Sequence, residues 1–119
     1  MMVRDESVAE ETVWLTAEAR ELLASRARPI VLAPARVSVP GVAPDNDDLG
    51  VMLPYAPLHY LLFACGAPPR LVMTSGNRSS EPVAFEDEDA RGRLAGLVAA
   101  LLGYTRPVTF EGLVLPSGR

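Results

Sequence analysis

Lysine is absent from this 119-residue chain, and its eleven basic residues are all arginines. That excludes a Walker lysine, a Schiff-base lysine and any lysine grip on phosphate from within these residues. Histidine and cysteine occur once each, as His59 and Cys65. A lone cysteine forms no internal disulfide, which fits a reducing compartment. A lone histidine supplies neither a His-based metal site nor a Ser-His-Asp triad with a histidine to spare. No apolar run is long enough to span a bilayer. Met1–Glu6 carries two acids and no apolar stretch of the secretory kind, so the expected location is cytoplasmic. The net charge of −4 and the scattered arginines leave no concentrated basic field for a general nucleic-acid surface.

What is present suits a folded chain. Apolar residues make up 49% of the sequence, and the length fits one domain with a modest core or a piece of a larger one. Thr16 reads as a helix N-cap, with Ala19, Leu22, Leu23 and Arg26 on one face and Arg28-Pro29 as the stop. Ile30-Val31-Leu32 reads as a short buried strand. Residues 33–49 follow as a connector with three prolines and the acidic run Asp45-Asn46-Asp47-Asp48. Gly50–Leu53 is a second strand candidate, and Pro57 suits the first turn of a helix through Phe63, closed by Gly66.

Arg70–Thr74 is a third strand candidate, running into Ser75-Gly76-Asn77. The acids Glu86–Asp89 open a second long helix, complementing its dipole. Its apolar stripe is Ala90, Leu94, Leu97, Val98 and Leu101, with Gly103 as the stop and Pro107–Phe110 as a final strand. Helices alternating with short apolar strands predict an α/β (α+β) fold, with no internal repeat and no linker dividing the chain.

Several motifs carry little. Asp45-x-Asp47-x-x-Gly50 begins like a calcium loop, but Leu49 and Ala56 stand where oxygen ligands belong. Asn77-Arg78-Ser79 is formally a glycosylation sequon, without a secretory route to give it meaning. His59, on a short apolar helix, reads as structural more readily than as a ligand contact. Cys65, with no base beside it, reads as a packed small residue rather than a nucleophile.

The segment Thr74–Ser80 is richer. Within seven residues it holds a threonine, three serines, an asparagine, an arginine and Gly76, at the carboxyl end of an apolar strand. Gly76 permits positive φ and close approach of the backbone to a ligand. The Thr74 and Ser75 hydroxyls and the Asn77 amide can donate to phosphate or ribose oxygens, and Arg78 supplies charge. An ordinary polar turn before a helix has the same composition.

Two stretches bear a family resemblance. Leu49-Gly50-Val51-Met52-Leu53-Pro54-Tyr55-Ala56-Pro57-Leu58-His59-Tyr60-Leu61-Leu62 resembles the corresponding run of the YrdC-like domain in hydrogenase-maturation carbamoyltransferases of the HypF type. Leu71-Val72-Met73-Thr74-Ser75-Gly76-Asn77-Arg78-Ser79-Ser80-Glu81-Pro82-Val83 resembles the run that follows it there, and Arg28–Leu32 resembles a family strand. The likeness is collinear from about Thr16 to Pro107. It implies a twisted mixed sheet flanked by helices, of which about the second half stands in residues 1–119, with a divergent tail over 108–119.

For function, the resemblance implies binding of ATP (with magnesium) and of carbamate derived from carbamoyl phosphate, giving a carbamoyl adenylate. A Kae1-like domain of the family then uses it to modify a partner's C-terminal cysteine, a route to the cyanide ligands of nickel-iron hydrogenase. Thr74, Ser75, Gly76, Asn77 and Arg78 are the implied nucleotide-binding residues, and no zinc site is expected here. Departures are Tyr60 for a second histidine, Ser80 for the usual glycine, the missing upstream Lys- and Arg-bearing segment and the altered sequence after Pro107. They predict a chain inactive alone, relying on the missing domains of a HypF-type protein or on a second copy. The competing expectations are a YrdC-shaped scaffold for double-stranded RNA or protein, or a vestigial fragment; the charge weighs against RNA.

Overall fold

The structure, a computed structural model, describes residues 1–78, 80–84 and 86–100. Two compact units follow each other, Met1–Thr74 and Ser75–Arg119.

The first unit begins with two short elements beyond those expected from the sequence. Met2–Val3 forms a strand, β1, and Asp5 caps a seven-residue helix, α1, over Glu6–Thr12. The cap is local chemistry: the Asp5 carboxylate accepts from the Val8 amide at 3.0 Å, satisfying one of the donors a helix start leaves free. Thr16 caps the next helix, α2 (Ala17–Ala24), by accepting from the Ala19 amide at 3.1 Å, as expected. Its buried face is narrower than expected. Leu23 is fully buried and Ala19 packs beside the core, but Leu22 is 53% exposed.

β2 spans Val31–Pro34 and β3 spans Asp48–Val51, paired antiparallel with Val31 opposite Val51 and Pro34 opposite Asp48. The expected short buried strand is therefore corrected to one buried on a single face. Val31 and Ala33 face the core, while Ile30 and Leu32 are 67% and 72% exposed, as the two-residue alternation of a pleated strand requires. β3 also starts earlier than expected, inside the acidic run, and the true connector is shorter. Its residues Val37, Val39 and Val42 pack against the core.

Pro57–Ala64 forms α3, and Arg70–Leu71 forms β4, antiparallel to β1 with Met2 opposite Leu71. A parallel bridge between Met2 and Met52 links the two strand pairs, through Val3 N–H to Met52 O at 3.0 Å and Met52 N–H to Met1 O at 2.9 Å. The strands thus make a mixed arrangement, and the α/β (α+β) expectation holds. The core gathers Val3, Val8, Ala9 and Val13 from the N-terminal elements with Leu23, Val31, Ala33, Leu49, Val51 and Leu53. Arg70 ties β4 to α1: its Nε donates to Thr12 Oγ1 at 2.8 Å and its Nη2 pairs with Glu11 at 2.9 Å.

In the second unit, Asp87–Leu94 forms α4, with Asp87, Glu88 and Asp89 in its first turn. The long amphipathic helix is overturned. α4 stops at Leu94, and Leu97 and Val98 are 59% and 42% exposed. Gly92 and Gly96 fall within that stretch, and each costs roughly 1 kcal/mol of helix stability relative to alanine. Leu101, Gly103, the expected strand Pro107–Phe110 and the tail 108–119 lie outside the described residues. No described helix is long and apolar enough to cross a membrane.

Candidate functional site

The strand that was expected to deliver the polar loop is shorter than the sequence suggests. β4 ends at Leu71, so Val72, Met73 and Thr74 continue without strand pairing, Thr74 being exposed and the last residue of the first unit. Ser75, Gly76, Asn77 and Arg78 open the second unit. Ser75, Gly76 and Arg78 are exposed; Asn77 is half-buried.

Hydrogen bonds hold this loop in shape. The Asn77 amide N–H donates to Ser75 O at 3.0 Å, and the Ala84 N–H donates to Gly76 O at 2.9 Å. The Asn77 side chain works inward. Its Nδ2 donates to the carbonyls of Arg78 and Glu81, both at 2.9 Å, while its Oδ1 is buried with no partner among the described residues. Both amide hydrogens therefore brace the loop itself.

A turn closes behind the loop, with Glu81 N–H donating to Arg78 O at 3.0 Å. Ser80, third in that turn, has φ +68°, in the left-handed region that favours glycine. This corrects the expectation for Gly76, whose φ lies outside that region. A Cβ at Gly76 would meet Leu94 Cδ1 at 3.5 Å, ordinary contact, so the glycine leaves its backbone bare without being demanded by conformation.

Arg93 buttresses the assembly from α4. Its Nη1 donates to Pro82 O at 2.8 Å and lies 3.4 Å from Glu81. Its Nε and Nη2 form a bidentate pair with Asp89, which holds the Asp89 carboxyl below its ordinary pKa and raises that of Arg93. The Arg93 carbonyl accepts from Arg78 Nε at 3.3 Å. The terminal nitrogens of Arg78 meet no carboxylate among the described residues. The loop thus presents two exposed residues (Ser75 and Gly76) whose carbonyls are bonded within the loop and whose N–H groups meet no partner among the described residues, and one guanidinium on a fixed support. That is a donor set suited to phosphate oxygens.

Other singled-out residues fall elsewhere. His59 Nδ1 faces the Tyr55 N–H at 3.4 Å, and the two rings meet edge to face at 4.6 Å, a local brace at the start of α3. Cys65 is exposed, not packed as expected, as the C-cap of α3, a helix with no buried residue. Among the described residues no three His, Cys, Asp or Glu side chains gather as a metal-ligand group.

A groove of about 760 Å³ lies along the 35–47 segment of the first unit. The Arg36 guanidinium sits 4.0 Å from the centre of the Trp14 ring there, and its Nη1 donates to Glu10 O at 2.6 Å. No sequence motif specifies this stack. Trp14 beside a proline-rich connector carrying an arginine was the available sign.

The Sua5/YciO/YrdC family, described as telomere recombination, matches residues 1–111. The chain belongs to the Sua5/YciO/YrdC family. The family match covers β1 and α1 as well, and the chain is also similar to HypF proteins. Carbamoyltransferase HypF of Rhodobacter capsulatus is 44% identical over 110 residues, 91% of this chain and 14% of that protein. Carbamoyltransferase HypF of Synechocystis is 41% identical over 91 residues, 74% of this chain and 12% of that protein. The solved structure of full-length HypF in its phosphate- and nucleotide-bound form superposes with a TM-score of 0.81 at 40% identity, covering 88% of this chain and 17% of that one. This Sua5/YciO/YrdC chain therefore spans about a seventh of the length of the carbamoyltransferases it matches.

Proposed function

We propose that this chain is the nucleotide-binding portion of a HypF-type carbamoyltransferase that acts in nickel-iron hydrogenase maturation. As a single partial YrdC-like domain, it binds ATP and the carbamoyl adenylate made from it with Thr74, Ser75, Gly76, Asn77 and Arg78. The observation that carries this reading is the braced loop: Asn77 and Arg93 bond the carbonyls of Arg78, Glu81 and Pro82, while Ser75, Gly76 and Arg78 are exposed. A solved relative holds nucleotide and phosphate, and this chain is 40% identical to it.

The roles divide by chemistry. Ser75 Oγ and the bare backbone at Gly76 donate to phosphate oxygens. Arg78 offsets phosphate charge, and Asn77 fixes the loop that aims them. Magnesium arrives with the nucleotide phosphates. Phosphoryl and adenylyl transfer depend on several positive groups placed against the phosphates, and this loop brings one. The chain alone therefore binds without turnover, and the remaining domains of a HypF-type protein supply the rest.

Calorimetric titration with ATP tests this reading. The parent chain binds, and Ser75→Ala with Asn77→Ala weakens binding by about tenfold or more, roughly 1.4 kcal/mol. Absence of heat from the parent at millimolar ATP, or equal binding by the double variant, overturns it. ATP-dependent pyrophosphate release by the parent chain would overturn the statement that it does not turn over alone.

A further inference from the structure

An eight-residue helix in which five residues carry large apolar or aromatic side chains ordinarily disappears into a core. α3, Pro-Leu-His-Tyr-Leu-Leu-Phe-Ala, does not: none of its residues is buried. Tyr60 is 53% exposed, Leu61 58% and Leu62 40%, and Tyr55 before the helix is 63% exposed. Exposed apolar clusters of this kind mark contact surfaces.

The helix is also fixed in place. Pro57 starts it, and the Tyr60 hydroxyl donates to Pro54 O at 3.0 Å. Its end closes with Gly66 N–H to Phe63 O at 3.1 Å and Ala67 N–H to Leu62 O at 3.0 Å, with Gly66 at φ +92°. A preformed face binds without the cost of ordering itself. From Pro54 to Pro69 there is no Asp, Glu, Lys or Arg. The face therefore offers nothing to a phosphate backbone or an anionic lipid surface, and suits an apolar polypeptide surface. The HypF relatives provide that polypeptide, since the part matched by this chain is 14% of one and 17% of another.

We propose that the exposed face of α3, centred on Leu61 and Leu62, is the docking surface for polypeptide from the remainder of a HypF-type carbamoyltransferase chain. This rests on the reading of the chain as part of such a protein. The face belongs to the first unit and is used for assembly, not for nucleotide.

The test compares one double variant, Leu61→Asp with Leu62→Asp, in two settings. In the 119-residue chain the substitutions fall on exposed positions, and the thermal midpoint stays within about 2 °C. In a chimaera of Rhodobacter capsulatus HypF whose matching segment is replaced by this chain, the midpoint falls by about 5 °C or more, because carboxylates are forced into a contact. Equal shifts in the two settings overturn the proposal. So does a dimer of the isolated chain in sedimentation that the variant dissolves, since the occupant is then a second copy. If the chimaera does not fold, the chain is coexpressed with the same HypF lacking the segment. Copurification abolished by the double variant supports the surface, and no copurification by the parent overturns it. ATP titration of the same samples keeps the two readings apart. A chimaera sensitive at α3 that binds no ATP retains the surface and sinks the nucleotide reading. One that binds ATP through Ser75 but is insensitive at α3 does the reverse.

Discussion

Asn77 is a donor to its own loop, and this decides what its replacement does. Its Nδ2 serves the carbonyls of Arg78 and Glu81, so Asn77→Ala leaves two carbonyls short, while Asn77→Asp turns a carboxylate toward them. The aspartate variant is expected to cost more, with the alanine variant near 1 kcal/mol and the aspartate variant about 2–3 kcal/mol of local stability. Amide exchange at residues 75–84 measures both; equal effects would mean the bonds contribute nothing. Ser80 gives the opposite sign. It holds φ +68°, and Ser80→Gly relieves a left-handed conformation that costs an L-residue roughly 1–2 kcal/mol, less the entropy that glycine adds to the unfolded chain. The expected net gain is a few tenths of a kcal/mol to about 1 kcal/mol in denaturant unfolding, and Ser80→Val should lose stability instead.

Among the elements, α1 depends on its cap. The Val8 amide first, and Arg4 second, hold the Asp5 carboxyl below its ordinary pKa. A carboxyl lowered in the folded state stabilises above its unfolded value of about 3.9, and that contribution is lost as pH falls through the lower folded value. α1 should therefore fray in acid below about pH 4. Asp5→Asn should keep most of the cap at neutral pH while flattening this acid limb, and Asp5→Ala should cost about 1 kcal/mol at neutral pH, a difference that shrinks as the Asp5 carboxyl protonates. Circular dichroism against pH for the three chains tests the sign. The same cap explains what could be read in advance. α3 was legible because Pro57 and Gly66 mark both ends by local chemistry. β1 has two residues and shows no period, so only its partner Arg70–Leu71 defines it. α1 offered Asp5 followed by Val8, Ala9 and Thr12 at helical spacing, a signal overlooked beside the charges around it. At the loop, the residue types were legible, but Gly76 drew attention to positive φ that the turn in fact places on Ser80. A turn's register is fixed by its hydrogen bonds, and composition does not contain it.

At the scale of the whole molecule, the two units are unequally built. The first holds the hydrophobic core, from Val3 to Leu53; among the described residues of the second, Leu94 is the buried apolar side chain. What shapes residues 75–94 is polar, chiefly the Asn77 and Arg93 bonds to exposed carbonyls and carboxylates. Exposed pairs of this kind contribute little each, and segments with little buried apolar surface open locally at low free energy. Amide exchange should accordingly be slowest at Val31, Ala33, Leu49 and Val51 and markedly faster from Ser75 to Leu94. A ligand held by the 75–78 loop changes that order by mass action. At tenfold its dissociation constant, ATP should slow exchange at Ser75–Arg78 by about tenfold, while the core amides of the first unit keep their rates. Protection spread evenly over both units would instead mean that the chain opens as one cooperative body. Protection confined to the groove beside Trp14 and Arg36 would move the nucleotide away from the loop.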